Sequence, residues 1–226
     1  MTSPPVSRET TWEEKRLGSI PPRLEGDLEA LSTWVQNSTF ALSEEQWAAI
    51  CAYVHLLYHT SIKLNLVSVQ ERESIATRHV WRALAMVPHI QSVPHETVLD
   101  VGSGSGIPAI PLKICLPETA FYLVESRRRR ANFLRQAIRL LHMEKAVVIN
   151  ERVEDWKEPI TADVVTARSV ANPGELKALV QSHVRSSAWL FCPLDPRGES
   201  TVEGGERLVV QWKKEVMHLG RVPLIY

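Results

Sequence analysis

Apolar positions change their period along the chain, and the change divides it in two. Leu24, Leu28, Leu31 and Val35 recur at helical spacing and predict a short helix over 24–35. Ser43-Glu44-Glu45-Gln46 has the form of a capping box. The helix it opens should bury Trp47, Ile50, Cys51, Val54, Leu57 and Tyr58 on one face. A connection over 65–69 leads into a further helix over 71–86, which Pro88 and Pro94 should end. Residues 1–22, rich in Ser, Thr, Pro and charge without a sustained period, are expected to form a loose tail.

From residue 97 short β-branched and apolar runs alternate with helical stretches. Strands are predicted over 97–101, 120–124, 146–149, 162–166 and 188–191, and helices over 107–115, 127–141 and 173–184. Residues 208–226 should add a strand pair at the sheet edge, with Gly220 near its turn. Such alternation implies an α/β fold with a mostly parallel sheet covered on both faces. The expected organisation is a tail over 1–22, a helical extension over 23–94 and a Rossmann-like domain over 95–226.

At 226 residues and 44% hydrophobic, the chain can bury a substantial core. With 26 basic and 26 acidic residues its formal charge is zero, so a nucleic-acid partner must be argued from local clusters. Cys51, Cys115 and Cys192 are far apart among apolar neighbours, which favours reduced thiols and a cytoplasmic location. No apolar run reaches membrane-spanning length. Neither a membrane nor a metal partner is expected, and the protein is expected to be a monomer.

The richest stretch is Asp100-Val101-Gly102-Ser103-Gly104-Ser105-Gly106-Ile107-Pro108. A strand ends in an acid, glycines alternate with serines, and a helical pattern begins, which is the order that nucleotide-type ligands need. Amide groups at Ile107 and beyond should face the ligand. The spacing is D-x-G-x-G-x-G, unlike the G-x-G-x-x-G of dinucleotide enzymes. It resembles motif I of class I S-adenosylmethionine-dependent methyltransferases. Glu125 closes the second strand about twenty residues on, where an acid receives ribose hydroxyls; it could also be a solvated acid at a strand end. The charged loop Glu151-Arg152-Val153-Glu154-Asp155 either binds an adenine edge or is a surface loop.

Arg127-Arg128-Arg129-Arg130 fills a helix's first turn behind Ser126, its expected N-cap. Cations there oppose the helix dipole at about 0.3–1 kcal/mol each, which favours a polyanion such as RNA as partner over pairing with local acids. Arg168 follows the fourth strand, and Arg78-His79 lies on the helix before the sheet. Neither an Asn/Asp-Pro-Pro-aromatic tetrad nor a cysteine nucleophile follows the fourth strand, and Cys192 reads as a core residue.

Together, Asn65-Leu66-Val67-Ser68-Val69, Arg78-His79, the glycine segment with Ile110-Pro111-Leu112, Val124-Glu125-Ser126, Arg129-Arg130, Arg152-Val153-Glu154 and Asp163-Val164-Val165-Thr166-Ala167-Arg168 resemble the bacterial 16S rRNA guanine-N7 methyltransferase family, also called glucose-inhibited division protein B. The resemblance implies a class I methyltransferase fold, S-adenosylmethionine as cofactor and 16S rRNA of the small ribosomal subunit as partner. It implies cofactor contacts at Asp100, Gly102, Ser103, Gly104, Gly106, Ile107, Glu125, Ser126, Val153, Glu154 and Arg168. Arg168, Arg78 and His79 would serve catalysis, while Asn65 and Arg127, Arg128, Arg129 and Arg130 would meet RNA. Two stretches differ from the family's habit: Val80-Trp81-Arg82-Ala83 carries a base where an acid is usual, and Leu190-Phe191-Cys192-Pro193-Leu194 lacks a lysine. The other readings are a methyltransferase acting on another RNA or a small molecule, and a cofactor- and RNA-binding assembly factor without catalysis.

Overall fold

The computed structural model describes residues 19–38, 40–168, 173–193, 205–212 and 215–224. Most of the expected tail, and Ser169 after Arg168, lie outside them. Ile20 is already buried, and α1 (Pro22–Gln36) begins with a proline in its first turn, where no N–H is needed. In α2 (Glu44–Leu64), Gln46 N donates to Ser43 Oγ at 3.1 Å and Ser43 N to Gln46 Oε1 at 2.9 Å, completing the capping box. Ile50, Val54 and Leu57 are buried as expected, whereas Trp47, Cys51 and Tyr58 are only partly buried.

The single helix expected over 71–86 is instead three pieces. A 3-10 turn (Arg72–Ser74) and a π turn (Ala76–Val80) precede α3 (Trp81–Gln91). Asp27 of α1 supplies a reason: its carboxylate accepts from Ala76 N at 2.7 Å, Thr77 N at 3.2 Å and the Thr77 hydroxyl. Pro88 does not end the helix, which continues to Gln91 with Val87 and Ile90 buried. Burying such side chains contributes about 1.5–3 kcal/mol each, comparable with the roughly 3 kcal/mol a helical proline costs.

Seven strands form one sheet: β1 (Thr97–Val101), β2 (Ala120–Val124), β3 (Ala146–Ile149), β4 (Ala162–Ala167), β5 (Val184–Pro193), β6 (Glu206–Trp212) and β7 (Glu215–Leu224). Their order is β3-β2-β1-β4-β5-β7-β6; the first five run parallel and β7 pairs antiparallel with both neighbours. Gly220 lies within β7 opposite Cys192 and Arg207, away from the turn where it was expected. The buried Asp163 pins three strands at their starts, accepting from Thr97 N and Arg185 Nε, both at 2.9 Å.

Helices α4 (Ala109–Cys115) and α5 (Arg128–Leu140) follow β1 and β2. Pro111 fits α4 because it falls within the first four residues, whose amides have no partner inside the helix. The N-cap of α5 is Arg127, not Ser126, because Glu125 Oε1 takes the Arg127 amide at 2.8 Å and delays the helix by one residue. The helix expected over 173–184 stops sooner, as α6 (Pro173–Val180) with a 3-10 turn (Gln181–His183) leading into β5.

Two buried clusters flank the sheet. The larger joins Leu24, Tyr53 and Trp81 of the helical segment to Phe121 and Phe191 of the strands and Phe133 of α5. The smaller packs Leu99, Val165 and Leu190 against Trp156, Leu176 and Val180. Strand β1 has β2 on one side and β4 on the other, and their chain order reverses there. In α/β sheets a crevice opens at such a point, beyond the carboxyl ends of the strands.

Candidate functional site

At that crevice lies a cavity of about 660 Å³. Its floor is the glycine loop after β1. Gly102, Gly104 and Gly106 have φ of 68°, 53° and 83°, in the left-handed region that side chains disfavour. A Cβ at Gly106 would also stand 2.6 Å from Ile110 Cγ1, so a larger residue there would force its buried neighbours to shift. The loop is held from two sides. Gly102 N and Ser103 N donate to Val124 O of β2 at 2.8 and 3.1 Å. From α2, Tyr53 Oη donates to Ser105 O at 2.6 Å. Helix α4 starts two residues later than expected, leaving Ile107 in the loop, buried and lining the cavity.

Two acids flank the loop. Glu125, 5% exposed, accepts from Gly104 N at 2.9 Å through Oε2 and from Arg127 N through Oε1. It lines the cavity and latches the loop to β2. Asp100 lies beneath the loop, 1% exposed; Oδ1 accepts from Thr166 Oγ1 at 2.6 Å and Oδ2 has no hydrogen-bond partner. Burial pushes its carboxyl up to about 6, against the pull of Thr166, Ser103 and Arg168.

At the opposite end stand Arg168, His79 and Glu71. Arg168 Nη2 donates to Ser105 Oγ at 3.3 Å, and Nη1 lies 3.2 Å from His79 Nδ1. A guanidinium only donates, so Nδ1 is the acceptor. Burial first, then Arg168, pushes His79 down to about 4, so at neutral pH its one proton sits on Nε2. That nitrogen faces Glu71 Oε2 at 3.5 Å. Burial alone would raise Glu71, but the Ser68 hydroxyl, His79 and Arg78 together hold it below its ordinary value. Arg82 lines this end too, its guanidinium 5.7 Å from the Trp81 ring centre.

The structure thus brings Gly102, Ser103, Gly104, Ile107, Glu125, Arg127, Arg130, His79 and Arg168 to one cavity. It places other expected residues off the cavity lining. Asp100 and Gly106 lie behind the loop, and Arg78 turns to Glu71 at 3.6 Å. Val153 is buried in the smaller core, Glu154 faces Arg152 at 3.5 Å, and Ser126, Arg128 and Arg129 are exposed. Asn65 ends α2 with a left-handed φ of 47°, while the adjacent Leu66, Val67 and Ser68 reach the cavity. Sequence reasoning missed Tyr53 and Glu71. Tyr53 stands three residues after Ile50 and four before Leu57, so helical spacing could have placed it inward. Glu71 carries no local signal; only folding brings it to His79.

Among the described residues, no helix is long and apolar enough to cross a membrane, and no three His, Cys, Asp or Glu residues group as metal ligands. The family model described as rRNA small subunit methyltransferase G (GidB) matches residues 46–194. The ribosomal RNA small subunit methyltransferase G of Chlorobium limicola is 34% identical over 166 residues, covering 74% of this chain and 75% of the relative. That of Chlorobaculum tepidum is 32% identical over 169 residues, covering 75% and 77%. Among solved structures, a SAM-dependent methyltransferase from Aquifex aeolicus aligns with a TM-score of 0.46 at 15% identity, over 62% of this chain and 89% of that one.

The residues present fit S-adenosylmethionine. The loop leaves its main chain bare where a Cβ at Gly104 would meet nothing closer than 3.6 Å, and a carboxylate stands at the end of β2. The orphaned Asp100 Oδ2 offers negative charge to a cationic ligand, and a cavity of about 660 Å³ is of the size that holds such cofactors. With 149 of its residues matched by the family model and relatives above 30% identity across most of its length, the chain belongs to the GidB family of S-adenosylmethionine-dependent rRNA small subunit methyltransferases.

Proposed function

We propose that the methylated atom is N7 of a guanine in 16S rRNA. The observation that carries this reading is the protonation state of the cavity. His79 is neutral, and its basic nitrogen already accepts from Arg168. The Tyr53 hydroxyl is held protonated by burial, and both Glu125 oxygens accept main-chain amides. These three groups are thus engaged in holding the fold, not poised to remove a proton. Guanine N7 needs no such removal, since it presents a lone pair and carries no proton. Alignment and close approach then carry the reaction. S-adenosylmethionine, when bound, would supply an electrophilic methyl to that lone pair, its sulfur keeping the C–S electron pair and the positive charge passing to the purine.

In this reading Asp100, Gly102, Ser103, Gly104, Gly106, Ile107, Glu125, Ser126, Val153 and Glu154 hold the cofactor directly or through the loop. Arg168 orients the base, with His79 fixing Arg168 and Arg78 steadying Glu71. Asn65 and Arg127, Arg128, Arg129 and Arg130 face the RNA. Residues 23–94 form the substrate-side wall and 95–226 the cofactor-side domain, in a monomeric cytoplasmic enzyme. The test is mass spectrometry of rRNA nucleosides after small subunits, or naked rRNA, are incubated with protein and cofactor. 7-Methylguanosine is expected; methyl on another base or atom would overturn the reading.

A further inference from the structure

Adenine, like guanine, carries an unprotonated N7, so N7 chemistry does not by itself select guanine. One edge that separates the two is the opposite, Watson–Crick edge, where guanine presents two adjacent donors, N1–H and the 2-amino group. Adenine there offers a lone pair at N1, which a carboxylate repels. A carboxylate facing that edge therefore separates the two purines.

Among the described residues, Glu71 and Glu125 are the carboxylates lining the cavity. Glu125 is committed to the Gly104 and Arg127 amides at the β2 end. Glu71 stands at the other end, beside Arg168 and His79, with its side chain 35% exposed. Its close partner is the Ser68 hydroxyl at 3.0 Å, while Arg78 and His79 stand off at 3.6 and 3.5 Å. A carboxylate has about four acceptor sites, so capacity remains. Leu66, Val67, Ala83, Met86 and Met217 line the same cavity and offer apolar surface to a purine face.

We infer that Glu71 reads the target guanine, accepting from N1–H and the 2-amino group while N7 on the far edge faces the methyl donor. The inference rests on the guanine-N7 reading above. It also assigns the Arg168–His79–Glu71 chain a purpose. The neutral His79 presents Nε2–H to Glu71, helping to hold the carboxylate ionised and in place. As positive charge develops on the purine, N1–H becomes a stronger donor, so the contact tightens in the transition state and raises kcat as well as selectivity.

Inosine keeps N7 and N1–H but lacks the 2-amino group. Small subunits are reconstituted with rRNA carrying either guanosine or inosine at the position where the protein deposits 7-methylguanosine, and kcat/KM is measured for both. The wild-type protein should prefer guanosine by roughly 10- to 100-fold. In Glu71→Gln and Glu71→Ala the preference should fall to about threefold or less. Because the ratio is taken within one protein, loss of folded material cancels. An unchanged preference in Glu71→Ala, or none in the wild type, overturns the inference while leaving the N7 reading standing. A wild type that forms no 7-methylguanosine overturns both.

Discussion

Tyr53 shows how much one hydroxyl carries. Its ring is fully buried in the larger core, and its Oη reaches Ser105 O at 2.6 Å. Tyr53→Phe keeps the ring and leaves a buried carbonyl without its donor, at about 1–3 kcal/mol of stability. Because the carbonyl belongs to the glycine loop, cofactor Kd should rise about tenfold by calorimetry; a fall in stability with unchanged Kd would make Tyr53 purely structural. Asp100 and His79 set opposing pH dependences. Asp100 is raised from 3.8 to about 6, so its contribution is present at low pH and lost as pH rises through 6. His79 is lowered from 6.5 to about 4, so its contribution is present above 6.5 and lost as pH falls through 4. Asp100→Asn removes the first effect alone. Its stability relative to wild type should climb between pH 4 and 6, by on the order of 2 kcal/mol, then level off. Urea unfolding of the cofactor-free protein at several pH values reads that climb.

At the level of elements, the proposed RNA-facing role of α5 sets stability against recognition. Arg128 and Arg129 are exposed in its first turn, where cations oppose the helix dipole and no side chain caps the helix. Reversing both to Glu should raise the melting temperature slightly, since each such charge is worth about 0.3–1 kcal/mol at low salt. The same change should weaken binding to small-subunit rRNA and flatten its salt dependence, as measured by filter binding across a salt series. If RNA affinity and slope stay put, these arginines form only a solvated face. Elements driven by local chemistry were legible in the sequence: the capping box at Ser43, the glycine loop, and strands β1 to β3 at their observed bounds. Those shaped by distant partners were not. The break at Ala76 comes from Asp27, the N-cap at Arg127 from Glu125, and the passage of α3 through Pro88 from side chains buried on either side of it.

For the molecule as a whole, period and alternation sufficed for the parallel sheet, and loop spacing sufficed for the glycine loop that floors the cavity. The end of the cavity around Glu71 was less visible, because its residues come from separate stretches that only the fold assembles. Glu71 and His79 come from the segment before the sheet, Arg82 from α3, and Arg168 from the end of β4. Of these, His79 and Arg168 were named in the sequence, Arg82 stood out as a departure from the family's habit, and Glu71 carried no local signal. Their common address exists because the helical segment and the sheet bury side chains in one cluster.

The carboxylate of Asp27 gathers two amides and a hydroxyl some fifty residues downstream, just ahead of His79. Helix α1 is therefore wired to the cavity, though none of its residues lines it. This constrains inheritance and engineering alike. A chimaera that borrows its first forty residues from another protein would have to bring an acid at the matching place, or the turn bearing His79 would lose its anchor. Sequence drift in α1 would be tolerated on its solvent side and resisted at this one acidic position.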